Sequence, residues 1–379
     1  MIIMILGGTN NSSAANVSTH GEPKCAFENA SSITTNLVII GFILILFSSL
    51  VGNSLLIRVV LSDKEARKKF PFNFLIINMA IADIMNASSA SLVFILFLTI
   101  GRLWVSGIFG EITCKVSYFS VGFSVAASIL TVVVMGLDRF MAAHATIRPL
   151  TKRGVKRAMA LIWVLAGLLC IPYFYIFRLE QGSDGRHYCI RKWSEDAEEN
   201  LKSLAVEEMI KFVALYACPL IFMVFCYAII ACRIRRRSKL PVGTNTRSKI
   251  VQQNQRVVGM IIAIVVIFAV CWFPVHVNHL LRSFDEETYC KLPAYLPLSF
   301  FWLAHANCAI NPWIWFLFSR HFRSLLKATT IQSISRWIAE SPKDGRYGHM
   351  PLTAKRTSKK RLEIQEENDQ AITAEQVLL

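Results

Sequence analysis

Uncharged, largely apolar runs recur along the chain at 29–57, 116–137, 158–177, 212–232, 257–281 and 292–319. A further run, 70–101, is broken only by Asp83. A bilayer core about 30 Å thick is crossed by about 20 apolar residues in helical form. One such run could be a buried helix of a soluble core. Seven of them, separated by short polar segments, predict seven membrane-spanning helices. The expected fold class is an all-α membrane protein, a seven-transmembrane helix bundle.

Composition agrees. Of 379 residues, 54% are hydrophobic and 17% charged, against about 25% charged in a typical soluble domain. The formal charge of +16 could suggest a nucleic-acid partner, but its placement points elsewhere. Taking the segment after the first span as one side, its three loops (62–70, 141–157 and 233–256) hold seventeen Lys and Arg. On the other side, 178–211 holds six Lys and Arg against eight Asp and Glu. Basic residues flanking the spans are retained in the cytoplasm. This predicts an extracellular N-terminus, a cytoplasmic C-terminus and a multi-pass protein of the plasma membrane. N-x-S/T acceptors at Asn10, Asn11, Asn16 and Asn29 fit a glycosylated outer tail.

Topology sorts the ten cysteines. Cys170, Cys218, Cys226, Cys232, Cys271 and Cys308 fall within or at the ends of spans, where a reduced packing role is the default. Cys25, Cys114, Cys189 and Cys290 lie on the oxidising side. Four cysteines allow three connectivities. The favoured pairing is Cys114–Cys189, which would pin the long outer loop over the bundle, with Cys25–Cys290 as a second bridge.

Ionisable groups inside a span are costly and mark function by default. Asp83 lies midway along the second span. Asn53, Ser128, Asn307 and Asn311 lie in the first, third and seventh. Side by side, one carboxylate and several neutral oxygens could hold a small hard cation such as Na⁺; a structural polar network tying helices together is the alternative. Asp138 and Arg139 at the inner end of the third span form either an interfacial snorkelling pair or a latch. Pro172, Pro219, Pro274 and Pro312 interrupt four spans, and Pro274 follows the bulky Trp272 and Phe273.

Together these residues resemble the rhodopsin-like family of G-protein-coupled receptors over about 34–328. The signatures occur in order: Gly52 with Asn53, N-M-A-I-A-D at 78–83, Trp104, Cys114, D-R-F at 138–140, Trp163, Pro219 with Tyr227, C-W-F-P at 271–274 and N-P-W-I-W at 311–315. Phe322 and Arg323 then mark a short amphipathic helix on the inner membrane surface. The resemblance implies a sodium pocket at Asp83, Ser128, Asn307 and Asn311, with that ion the sole cofactor. It implies a packing relay at Ile129, Pro219 and Phe268 above which Trp272 floors a ligand cavity. It also implies that Arg139 faces a heterotrimeric G protein, with arrestin and receptor kinases as further partners. Three positions depart from the pattern. Phe140 replaces a tyrosine. Trp315 replaces the tyrosine of N-P-x-x-Y, and its single N–H donor cannot serve the usual water bridge to Tyr227. Asn254 stands where many members have a latching Glu, which predicts a weakened latch and raised basal signalling.

The same resemblance narrows the ligand. Val121 stands where amine receptors carry an Asp, and His305 where visual pigments carry the retinal Lys. Residues expected to face the outer cavity are Tyr118, Val121, Glu208, Lys211, Trp272, His276, His279, Phe301 and His305. A polar and aromatic cavity under a charged, disulfide-pinned loop suits a peptide, and 104–114 and 300–315 look closest to neuropeptide receptors. Glu195, Asp196, Glu198, Glu199, Glu207 and Glu208 could steer a basic one. A receptor for a small molecule or lipid is the alternative. A transporter would show repeats and several mid-membrane charges, and an enzyme a metal triad, nucleophile elbow or phosphate loop; the sequence has none of these. The expected organisation is an outer tail (1–33), the bundle (34–318), the amphipathic helix (319–330) and a cytoplasmic tail (331–379). The tail carries candidate phosphosites such as Ser333 and Ser335.

Overall fold

The computed structural model describes residues 30–62, 71–144, 149–238, 245–319, 322–328 and 331; for 234, 236–238, 245–258 and 286 it describes the backbone alone. The expected glycan acceptors Asn10, Asn11, Asn16 and Asn29, Cys25 and the tail sites lie outside these residues, as does the side chain of Asn254.

The long helices are α1 (Ser32–Ser62), α2 (Phe72–Ile100), α3 (Gly107–Ala143) and α4 (Lys152–Cys170). A short α5 (Tyr173–Ile176) follows. Next, α6 (Ala197–Phe212) runs through a π-helical turn (Val213–Ala217) into α7 (Cys218–Ser238). The rest are α8 (Asn245–Phe284), a short α9 (Glu286–Lys291), α10 (Tyr295–Phe318) and α11, spanning 322–328. Three short strands, β1 (Leu103–Trp104), β2 (Phe177–Gln181) and β3 (His187–Arg191), form an antiparallel sheet in the order β1-β3-β2. The β2–β3 hairpin marks one end of the bundle, the hairpin end; Asp138 and Arg139 mark the opposite, Arg139 end.

Around an apolar core, the rim differs from that of a soluble protein. Large apolar side chains such as Phe47, Ile221 and Leu317 point outward at 67–70% exposure, while Asp83, Asn53 and Ser49 are fully buried. Lipid accepts the apolar rim, and the interior gathers the groups that need hydrogen bonds. Among the described residues, six segments are long and apolar enough to cross a membrane: α1, α2, α3, α4–α5, α6–α7 and α8 from Gly259. The seventh, α10, packs against α8 and α1. Its 24 residues span about 36 Å at 1.5 Å per residue, but they include His305, Asn307, Asn311 and two prolines. His305, Asn311 and Pro312 are buried, so the polar content that lowers its hydropathy is turned away from lipid.

One expectation changes. Residues 197–211, expected as outer loop, form α6, so the fifth span begins about four turns early. The signals are local: Asp196 caps α6 by accepting from the Glu199 amide at 2.8 Å, and Glu198 and Glu199 occupy its first turn. Pro172 interrupts the fourth span as expected: the helix breaks at 171–172, between α4 and α5 of the 152–176 segment. Pro219 sits just after the π turn, whose extra residue absorbs the missing donor and ring clash of proline.

Candidate functional site: a polar and aromatic line through the bundle

Asp83 is the centre of the line. Ser128 Oγ donates to its Oδ1 at 2.7 Å and Asn311 Nδ2 to its Oδ2 at 2.9 Å, while Ser49 Oγ donates to its backbone carbonyl at 3.3 Å. Asn53 Nδ2 donates to Ser49 and, at 3.1 Å, to the Cys308 carbonyl, tying α1 to α10. The side-chain oxygens of Asn53, Asn307 and Asn311 are buried with no partner among the described residues. The set therefore offers one carboxylate and three unused neutral oxygens, an all-oxygen donor chemistry suited to a hard monovalent cation. Three of the four expected residues are joined directly, and Asn307 lies one turn from Asn311. Ser49 was not anticipated; its signal is the i, i+4 spacing to Asn53. Beside this site, Trp163 Nε1 donates to Asn78 Oδ1 at 2.9 Å and Asn78 Nδ2 to Thr131 Oγ1 at 2.8 Å.

Toward the hairpin end the line becomes aromatic. Phe268 stands 6.5 Å from Trp272, ring centre to ring centre, and Trp272 stands 6.1 Å from His276 and 5.9 Å from His305. His276 meets Tyr216 at 4.8 Å, His305 meets Phe94 at 5.4 Å, and His279 meets Phe301 at 5.3 Å. The two histidines of α8 share a helix face: His276 packs on the rings of Phe212 and Tyr216, and His279 on that of Phe301. His305 is satisfied by Asn86, Nδ1 to Oδ1 at 3.1 Å. Ile129 and Phe268 share one buried core, and Pro219 is buried. Trp272 Nε1 is buried and unpartnered.

Tyr118 lies at the hairpin end. It stacks on Phe177 at the start of β2, centroids 4.0 Å apart, and joins the cluster around Cys114 and Cys189. Those two cysteines form a disulfide with Cα atoms 5.7 Å apart, which anchors β3 to the start of α3. Val121, three residues on, is half-buried. Cys290 is also disulfide-bonded; Cys25, its expected partner, lies outside the described residues.

The acidic residues expected to steer a basic peptide all have intramolecular partners. Glu195 binds Arg178 and Lys192, and is held below the usual carboxylate range by the Lys192 hydrogen bond. Asp196 caps α6, Glu198 pairs with Lys202 and Glu199 accepts from Ser194. Glu195 and Glu198 stay solvent-exposed, where such pairs are weak. Glu207 and Glu208 are different. Both are buried, and Arg191 from β3 reaches them at 2.6 Å and 2.7 Å. Trp193 Nε1 donates to Glu207 at 2.8 Å, and Lys211 pairs with both carboxylates. His279 Nδ1 lies 3.8 Å from Glu208. Opposite charges interleaved in sequence around the hairpin have found each other, so these two glutamates are committed inside the protein.

At the Arg139 end, Arg139 Nη2 donates to Asp138 Oδ2 at 2.7 Å, and Asp138 Oδ1 accepts from the Leu150 amide at 3.0 Å. The guanidinium carbon of Arg139 lies 4.0 Å from the ring centre of Phe72. Trp315 is 1% exposed, packed between Phe72 and Phe322 at 6.3 and 5.7 Å, with its Nε1 unpartnered. The Tyr227 hydroxyl is likewise buried and unpartnered, against Gly136 of α3. Sequence reading had not picked out Phe72.

A bundle of this kind, with a pinned hairpin over one end and an Asp–Arg pair at the other, defines a multi-pass membrane receptor. Residues 52–315 match the model of the family described as 7 transmembrane receptor (rhodopsin family), and the chain belongs to that family, one of receptors and not of enzymes. Among curated proteins it is similar to the Tachykinin-like peptides receptor 86C of Drosophila melanogaster, 27% identical over 288 residues that cover 74% of this chain and 56% of the relative. It is 29% identical to the Substance-K receptor of Bos taurus (75% and 72% covered) and 27% identical to the Galanin receptor type 1 of Rattus norvegicus (81% and 85%). The chain spans just over half the length of the Drosophila relatives it matches.

Proposed function

We propose that the chain is a plasma-membrane receptor that binds an extracellular peptide at the hairpin end and activates a heterotrimeric G protein at the Arg139 end. One observation carries the reading: an unbroken series of ring contacts runs from the hairpin end to the core beneath it. His279, Phe301, Phe94, His305, Trp272 and Phe268 follow one another at centroid distances of 5.2–6.5 Å. A ligand pressing on the histidines would displace Trp272, and Trp272 sits two residues before Pro274, where α8 lacks a backbone donor and can bend. The relatives are named for peptides, which supports a peptide over a lipid or amine. The charge split between the two sets of loops supports an extracellular hairpin end and a cytoplasmic C-terminus.

Within this reading Asp83, Ser128, Asn307 and Asn311 hold an allosteric Na⁺, with Asn53 and Ser49 as the adjoining shell. Cys25–Cys290 ties the N-terminal tail to the α8–α10 connection. Arrestin and receptor kinases act on the tail. The ligand is a peptide whose recognition rests on rings and hydrogen bonds near Trp272 and the histidines, because Glu207 and Glu208 are already neutralised.

The deciding experiment is a peptide-library screen on cells expressing the chain, with second messengers as the readout. A peptide response is expected. Silence to every peptide alongside a response to a lipid or an amine would overturn the ligand assignment.

A further inference from the structure

Arg139 is held in an unusual way. Asp138 takes one edge of its guanidinium, Nη2 to Oδ2 at 2.7 Å. Its Nε is buried with no hydrogen-bond partner among the described residues. Its flat face lies on the ring of Phe72, 4.0 Å from the centroid. A guanidinium over an aromatic face is attracted by the negative charge of the ring quadrupole, and the attraction grows as water is excluded. Here the water is largely gone: Phe72 is 9% exposed and the Arg139 side chain 18%.

Phe72 is itself fixed from behind. Trp315, 1% exposed, packs on it at 6.3 Å, and Phe322 closes on Trp315 edge-on at 5.7 Å. Phe72 opens α2, Trp315 lies near the end of α10, and Phe322 opens α11, so three elements converge behind one cation. Two departures from the family pattern thereby acquire a common reading. Where an acid would take the arginine from α8, the chain has Asn254. Where a tyrosine would reach toward water, the chain has Trp315, which backs the ring that the arginine rests on.

We propose that Phe72 is a positioning residue for Arg139: its ring face, backed by Trp315 and Phe322, parks the guanidinium and keeps it from the G-protein-facing surface. The G-protein part of this statement rests on the proposed function. The parking itself does not.

Phenylalanine at position 72 of the full chain is replaced in turn by its mono-, di- and trifluoro analogues, which keep the ring's shape while draining charge from its face. Two readouts are taken. The first is the thermal midpoint of the purified protein in detergent, which needs no G protein. It should fall stepwise, by roughly 2–4 °C across the series, and this slope should vanish in an Arg139→Leu background. The second is agonist-free nucleotide exchange on a panel of purified Gα subunits. It should rise stepwise to about threefold, Phe72→Leu should match the trifluoro chain, and Phe72→Tyr should restore the native value. A flat stability series, or an equal slope without Arg139, overturns the proposal. A stepwise stability series with no exchange by any chain, Asp138→Asn included, supports the parking and overturns G-protein coupling instead.

Discussion

The Arg191 guanidinium lies 2.7 Å from the Glu208 carboxylate, joining the tip of β3 to the fifth span across the hairpin end. Both partners are shielded, the side chains being 18% and 7% exposed, and Glu207 completes the clasp at 2.6 Å. Removing one partner of a buried pair leaves an uncompensated charge, at a cost of about 3–5 kcal/mol. Lys211 still faces both carboxylates, so Arg191→Ala should fall near the lower end, about 3 kcal/mol. Thermal unfolding of purified protein in detergent checks this. An unchanged midpoint would mean that the clasp contributes no stability.

The Cys114–Cys189 bridge closes a separation of 75 residues. In the loop-entropy account, a closure of that length is worth about 4 kcal/mol. Cys114→Ser, Cys189→Ser and the double variant should therefore lose stability alike, each with sharply reduced surface expression. A double variant that loses about twice as much as either single one would show that the two thiols act separately.

Much of this fold is legible in the sequence because a membrane filters composition so harshly. Seven apolar runs, one interior acid and a one-sided basic bias are hard to produce by other routes. The reading failed where charge was taken for loop. Residues 197–211 look solvated by composition, yet Asp196 caps a helix there and Glu207 and Lys211 pair one turn apart. Nor does the sequence show the partner of Tyr118, since a stacking contact on a hairpin 59 residues away leaves no periodic trace. Phe72 was invisible for the same reason: one phenylalanine among 25 is singled out only by the arginine that folds onto it.

The Asp83 carboxylate is bonded to Ser128 and Asn311, and the side-chain oxygens of Asn53, Asn307 and Asn311 are buried with no partner among the described residues. A ligand that binds only the folded state raises its stability by RT ln(1 + [L]/Kd). Replacing choline chloride with NaCl at constant ionic strength should therefore raise the thermal midpoint of the native protein. At a hundredfold excess over Kd the gain is about 2.7 kcal/mol. Asp83→Asn should abolish the sodium dependence while keeping the hydrogen bonds to its neighbours satisfiable. A native protein indifferent to the exchange of cations would remove sodium from the site.

Gly52 on α1 faces Pro312 on α10 so closely that a Cβ there would stand 2.7 Å from the proline Cγ. The atom in the way belongs to a closed ring in the middle of a packed helix, so it cannot swing aside as a flexible side chain would. The Asn53 bond to the Cys308 carbonyl, one residue further along α1, needs the same close approach. Overpacking at such a seam costs about 1–3 kcal/mol, and Gly52→Ala should pay it despite the better helix propensity of alanine, which by itself would favour the variant by about 1 kcal/mol. Gly259 serves as the control, because a Cβ there meets nothing within 4 Å; Gly259→Ala should raise the thermal midpoint or leave it unchanged. If Gly52→Ala also proves neutral or stabilising, α1 and α10 can part without loss, and the seam does not hold Asn53 and its neighbours in place.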